Sequence, residues 1–405
     1  MKNLAGKETE FLERHGLWFV LVCVWVRLGA LYMHNPFFGE YDSNFPYCLL
    51  SYRLYFCPRA VVGTVYDALS TLFGVSWKGF CILRFAFVFT AYTAVAAGVW
   101  RMLRRLESRE TALLLGFLAF TLPSTFHPAN IITMFDVFIV TAMAASIGLI
   151  RRDSAAWFMP VPALVALAVL THENFIFMYL PFLLGVLLWC GALGNMRGRA
   201  KLAAVFGAAA IAFCAMAYYR SRLHTEPGLL DGLNAELIRR AQAHGYEAEN
   251  CLVTLELTYW EHIKSVWSHF FLEQFGPYQI AVNVISAVLL IPAGIVLHRL
   301  WRHAWKTVPC ELRPRLLCLL VSCFGAAGLF IVAHDYIRWC SAILICHTAA
   351  LLMVYADCGL TLALTPAKKL CWLYIGLFYL CLEPPSGICF SIADLLAYPI
   401  FKLCL

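Results

Sequence analysis

Residues 17–44 read LWFVLVCVWVRLGALYMHNPFFGEYDSN. The first part, Leu17 to His34, is an apolar run with one full charge, Arg27. As a helix rising about 1.5 Å per residue, such a run approaches the ~30 Å hydrocarbon core of a membrane. An acidic loop follows directly: Phe37-Phe38-Gly39-Glu40-Tyr41-Asp42-Ser43-Asn44. Two carboxylates, Glu40 and Asp42, stand one residue apart where the helix leaves the bilayer. In extended backbone they fall on one side of the chain, because strand-like side chains repeat every second residue. Such a pair can share a metal ion, or one acid can act as a base beside a charged neighbour. It can equally be a solvated acidic turn, and the rest of the chain decides between these readings.

The apolar pattern recurs. Hydrophobic residues make up 62% of the 405 and charged residues 14%, far from a soluble average. Runs fall near 17–34, 79–100, 111–123, 130–150, 155–171, 174–194, 202–219, 277–298, 316–333, 337–357 and 370–383. They predict an all-α integral membrane protein of about eleven transmembrane helices, with 1–405 as one polytopic domain. The third and last runs are short, so they either re-enter or extend beyond these limits. The N-terminus carries mixed charges (Lys2, Lys7, Glu8, Glu10, Glu13, Arg14) and no small-x-small site follows the long run. It reads as the first membrane helix and not as a cleaved signal.

Orientation follows from Lys and Arg, which favour the cytoplasmic side. With the N-terminus inside, segments 1–16, 101–110, 151–153, 195–201, 299–315 and 364–369 are inside and hold 19 Lys/Arg in 59 residues. The outside segments 35–78, 124–129, 171–174, 220–276, 334–338 and 384–405 hold 10 in 138 residues. Glu40 and Asp42 therefore belong to the outer face. The formal charge of +7 is explained by short basic loops, so no nucleic-acid partner is implied. Residue usage and length point to a bacterial inner membrane.

The outer face receives the longest polar segments. In 35–78, Val61 to Phe73 has apolar residues at helical spacing and suits an interfacial amphipathic helix. Segment 220–276 has two helical stretches, about Leu229–Ala243 and Leu252–Phe271. The second carries Tyr259, Trp260, Trp267, Phe270 and Phe271, suited to the headgroup region or to a lid over a lipid-linked substrate. Interfacial anchoring is the commoner use. Most of the 17 cysteines lie in apolar runs, where a thiol is a small hydrophobe. Cys48 and Cys57 flank a short outer segment and are candidates for a disulfide on an oxidising side.

Titratable groups at bilayer depth are costly and default to functional candidates. Asp136 lies six residues into the fourth run, about 9 Å below its outer end by helical rise, and Arg84 lies at similar depth in the second. They can neutralise one another or line a cavity. Arg27, about two turns below the acidic loop, can pair with an acid or receive a phosphate. His172-Glu173, in an outer turn of almost no length, can bind metal, orient a hydroxyl or relay a proton; Glu173 can also simply favour a helix start. Residue 176 is Ile, so this is not a His-Glu-x-x-His zinc site. In His334-Asp335-x-x-Arg338, the guanidinium is shaped to hold a phosphate, or it pairs with Asp335 at i, i+3. No phosphate-binding glycine loop or Gly-x-Ser-x-Gly elbow occurs, which leaves nucleotide-driven transport and serine hydrolysis without support.

Glu40-x-Asp42, placed after the first helix on the outer side, resembles the acidic motif of polytopic glycosyltransferases of the GT-C superfamily. The resemblance covers the membrane core loosely, and the acidic motif carries it. It implies a GT-C-like fold and transfer of a sugar from a polyprenyl-phosphate donor to a glycan, lipid or protein acceptor at the outer face. It implies Asp42 or Glu40 as the base, Arg338 with Arg84 or Arg27 on the lipid phosphate, and His172 and Glu173 positioning acceptor or donor. His334, Asp335 and Asp136 complete the expected substrate-binding set. Mg²⁺ or Mn²⁺ bridging Glu40, Asp42 and the phosphate suits these hard oxygen ligands, though many members of the class work without a metal. No large C-terminal soluble domain of the kind some members carry is expected from these residues. A polymerase or ligase on undecaprenyl-linked glycans would rest instead on Arg338, His334 and segment 220–276. A flippase or transporter would show pseudo-symmetric halves, and none is found.

Overall fold

The computed structural model describes residues 15, 17–18, 20–26, 28–29, 45–121, 135–152, 154–246, 252, 255–261, 263–264, 277–331, 336–363, 365, 371–372 and 374–375. Among them the chain is all helical, with no strand. Residues 15–29 are helical wherever described. The helices that follow are α1 (Val61–Phe73), α2 (Trp77–Leu103), α3 (Arg109–Thr121), α4 (Asp136–Ile150), α5 (Ala155–Phe158), α6 (Pro160–Thr171), α7 (Phe175–Met178), α8 (Leu180–Trp189), α9 (Met196–Thr225), α10 (Leu229–Ala243), α11 (Pro277–Thr307), α12 (Arg313–Ser322) and α13 (Tyr336–Asp357). A 3-10 turn at Phe45–Cys48 precedes α1, and another, Gly325–Ile331, continues α12.

Four described helical segments are long and apolar enough to cross a membrane: Trp77–Leu103, Met196–Thr225, Cys310–Phe330 and Arg338–Asp357. Several others are apolar but shorter, and two expected runs are broken. The run 155–171 divides at Met159-Pro160 and the run 174–194 at Tyr179, two residues before Pro181. Each proline removes a backbone N–H and crowds the preceding turn. The run 316–333 changes to 3-10 geometry at Gly325, where a Cβ would lie 2.6 Å from Phe177 O. Only glycine lets this backbone come so close to α7.

The long Arg338–Asp357 span is 67% buried, whereas Met196–Thr225 is 22% buried. Thus α13 is central and α9 peripheral, with α9 packed on α6 and α12 on α8. The outward faces carry Ile82, Leu83 and Phe87 of α2, Phe206 and Ile211 of α9, and Ile291 and Ile295 of α11, all exposed. Apolar surface this extensive suits lipid.

Polar contacts gather the ends of α4 and α13 at two places. At one end Arg151, just after α4, bonds Asp357 at the end of α13, and Trp189 Nε1 donates to Asp357 Oδ2 at 2.8 Å. This is the end the basic segments assign to the inside. The start of α4, the end of α6 and the start of α13 lie at the opposite end.

There a separate apolar cluster joins Tyr47, Leu49, Leu50, Val62 and Tyr66 to Leu233 and Leu237 of α10. Arg240 Nη1 ties it together, donating to Asp67 Oδ1 and to Leu49 O, both at 3.1 Å. Helix α1 lies so close to the preceding loop that a Cβ at Gly63 would come within 2.0 Å of Leu50 O. Gly63→Ala is therefore expected to lower stability by about 1–3 kcal/mol, the usual range for overpacking. Thermal unfolding in detergent checks it. Cys48 and Cys57 are separate buried thiols, contrary to the disulfide considered from the sequence. The Cys48 sulfur faces Arg84 Nη1 at 3.3 Å, and Cys57 contacts Tyr55 O within its own turn at 3.6 Å.

Candidate functional site

Asp136 opens α4 instead of lying six residues inside a span; residues 130–134 are outside the described set. Acids favour a helix N-terminus, where backbone N–H groups are unpaired. Its carboxylate is 2.9 Å from Arg338 Nη2 at Oδ1 and 2.7 Å from Arg338 Nε at Oδ2. This two-pronged pair gives Asp136 a partner other than the Arg84 expected from sequence. Asp136 binds Arg338 across 202 residues of chain and not through the Arg84 counter-charge. The Arg338 fork is turned to Asp136, and Asp335 lies outside the described residues.

The turn between α6 and α7 supplies the next two groups. His172 Nε2 is 3.1 Å from Arg338 Nη2, and His172 Nδ1 is 3.2 Å from the Asn174 backbone N–H. Nδ1 is also 3.5 Å from Glu173 Oε2. Glu173 Oε1 accepts from Arg59 Nη2 at 3.1 Å. The result is a row Asp136, Arg338, His172, Glu173, Arg59, assembled from four separate segments. Asp136, His172 and Glu173 are all buried.

Arg59 was not singled out from the sequence. It is the one non-glycine with positive φ among the described residues, at 69°. Left-handed backbone costs an ordinary residue about 1–2 kcal/mol, and such strain gathers at functional sites. Its own N–H bonds Leu170 O at 3.3 Å, close to the end of α6, and its guanidinium lies 5.2 Å from the Tyr47 ring. Arg220 was likewise missed. Near the end of α9, it lies over Tyr259 at 4.2 Å and donates to Leu257 O at 2.6 Å. Sequence gave only faint signals: Pro58 before Arg59, and Tyr218-Tyr219 before Arg220.

The charges act on one another. Burial, then the positive Arg59 and Arg338, hold the His172 imidazole down to about 4, against a smaller opposing pull from Glu173. Burial alone would raise Glu173, but Arg59 and Arg220 outweigh it and keep the carboxylate well below its usual range. The ring is therefore neutral and the acid ionised at pH 7. Among the described residues, three guanidiniums, counting Arg220, stand near two carboxylates.

No family model, curated protein or solved structure matches this chain. Its function is therefore read from the site alone. Of the residues expected there, Asp136, His172, Glu173 and Arg338 come together. Arg84 is buried in α2, beside Cys48. Glu40, Asp42, Arg27, His334 and Asp335 lie outside the described residues, and so do the oxygens expected to hold Mg²⁺ or Mn²⁺.

Proposed function

We propose that this chain is a polytopic membrane glycosyltransferase of GT-C type, with about eleven spans and a cytoplasmic N-terminus. It takes a sugar from a polyprenyl-phosphate donor to a glycan, lipid or protein acceptor at the outer face, in a bacterial inner membrane. The observation that carries this reading is the buried row from Asp136 to Arg59, at the end of the bundle opposite the basic segments. Tyr47, beneath Arg59, follows Asp42 by five residues, which ties the acidic loop to the row in the chain. Inverting transfer needs a base for the acceptor hydroxyl and positive charge for the departing phosphate. Asp42, or Glu40, is the base. The guanidiniums Arg59, Arg220 and Arg338 supply the positive field, with Arg338 fixed by Asp136. His172 and Glu173 position the substrate. Mg²⁺ or Mn²⁺ on Glu40 and Asp42 remains compatible with this scheme.

The test is transfer by the purified protein in lipid, supplied with polyprenyl-phosphate sugars and cell-envelope acceptors. Asp42→Ala is expected to lower the rate about 10²–10⁴-fold, the range for a lost general base, while the protein stays inserted and folded. Full activity in both Asp42→Ala and Glu40→Ala would remove the assignment. A loss in Arg338→Ala alone would move it to a polymerase or ligase that works without the acidic loop.

A further inference from the structure

The end of the bundle that the basic segments assign to the inside carries two cations seated on consecutive rings. The Arg152 guanidinium lies 4.1 Å from the centre of the Trp157 ring, and Lys201 Nζ lies 5.2 Å from that of Phe158. Both distances are within the reach of a cation–π contact. Arg152 follows Arg151, which binds Asp357 at that end. Lys201 precedes Arg220 by 19 residues within α9, about 28 Å by helical rise. It therefore stands about the thickness of a hydrocarbon core away from Arg220 and Glu173.

The fold holds both cations in place. The break at Met159-Pro160 leaves α5 as a separate turn, with Phe158 buried and Trp157 50% exposed. The start of α9 is fixed as well. The Asn195 side chain accepts from the Gly198 N–H at 2.7 Å, and a Cβ at Gly198 would lie 2.3 Å from Ala192 O. Each ring covers one side of its cation and leaves the other N–H groups to donate outward. Among the described residues neither Arg152 nor Lys201 pairs with a carboxylate, and Asp153 lies outside them. Beside them Met159 and Met196 are each 78% exposed. Positive charge next to exposed apolar side chains is complementary to a molecule with a negative headgroup on acyl chains. A small soluble anion would satisfy the cations and leave the methionines in water.

We propose that Arg152 and Lys201, seated on Trp157 and Phe158, form a site for the phosphate of an anionic phospholipid of the inner leaflet. The site is separate from the outer row. It rests on the orientation given by Lys and Arg and not on the glycosyltransferase reading. Because the rings already hold the two side chains, less freedom is lost on binding than for unsupported ones.

The probe is phosphatidylglycerol, against phosphatidylcholine of the same acyl chains. The full protein is equilibrated with an equimolar mixture of the two in detergent micelles, and native mass spectrometry reads which lipid stays bound. Phosphatidylglycerol is expected to be retained in preference. Arg152→Gln with Lys201→Gln is expected to weaken its binding about 30-fold, about 5-fold for each cation at an anionic lipid. If that double variant does not fold, Trp157→Leu keeps both charges and is expected to weaken binding about 2–5-fold, the worth of one ring contact. Arg101→Gln with Arg104→Gln removes two exposed cations of the same end and is expected to leave retention in place. Equal retention of the two lipids, or an equal loss in the Arg101 and Arg104 double variant, overturns the proposal and leaves only diffuse surface charge. Displacement of the lipid by inorganic phosphate at constant ionic strength overturns a lipid as the occupant. The assay contains no sugar donor, so its outcome is independent of the transfer test with Asp42→Ala and Glu40→Ala.

Discussion

Asp136→Ala is expected to destabilise the protein by about 3–5 kcal/mol, the usual cost of removing one member of a buried ion pair. The carboxylate it deletes is reached by both Nε and Nη2 of Arg338, and the two side chains are 3% and 12% exposed. Without it, the guanidinium keeps its charge but loses its two-pronged partner. The double change Asp136→Leu with Arg338→Met is expected to recover much of the loss, because apolar replacement of a whole buried pair is often neutral or better. Unfolding of the parent, Asp136→Leu, Arg338→Met and the double variant in mixed detergent measures the coupling. If Asp136→Ala lay within about 0.5 kcal/mol of the parent, the range of ordinary surface changes, the pair would not be holding α4 to α13. His172 shares Arg338 with Asp136, so the effect of losing the acid extends to the turn between α6 and α7.

Acid is expected to unfold the protein through the same row. The ordinary value for His172 is 6.5 and burial with its positive neighbours brings it to about 4 in the fold. Between these values the unfolded chain binds a proton that the folded chain does not. The contribution of His172 is therefore complete above about pH 6.5 and lost as pH falls toward about 4. At 1.36 kcal/mol per pKa unit, the loss is on the order of 3 kcal/mol. Glu173, depressed below its ordinary 4.5, adds a loss of the same sign at pH below that value. His172→Gln is expected to flatten stability between pH 6.5 and 4 while leaving the Glu173 limb in place. Unfolding midpoints across pH check this, and an unchanged slope in His172→Gln would remove His172 as the cause.

Some of this was legible in the residues and some was not. Val61–Phe73 and Leu229–Ala243 stand where their apolar spacing put them, because a half-buried helix shows its period of 3.6. The helices inside the bundle show little period, since lipid and core ask for the same residues. Their breaks at Pro160 and Pro181 were consequently absorbed into longer runs. For the site, ionisable side chains inside or between apolar runs marked out Asp136, His172, Glu173 and Arg338. Which acid meets which base is set by helix packing, and linear position could not reveal that Asp136 reaches Arg338. Arg59 and Arg220 looked like ordinary loop arginines. Only the fold, by seating them beside Glu173 and Tyr259, distinguishes them.

The Asp136–Arg338 pair also has a bearing on how the protein is made. Its members are separated by 202 residues. At synthesis rates of about 5–20 residues per second, the acid leaves the ribosome about 10–40 s before its partner exists. For that interval the nascent chain holds a carboxylate at the end of a largely apolar helix with its eventual counter-ion still untranslated. Among the described residues the last long helix to appear, α13, is also the most central of the long spans. Chains that stop before residue 338 would therefore be open at the middle, with the acid lacking Arg338, a difference that membrane quality control could use to separate finished molecules from aborted ones.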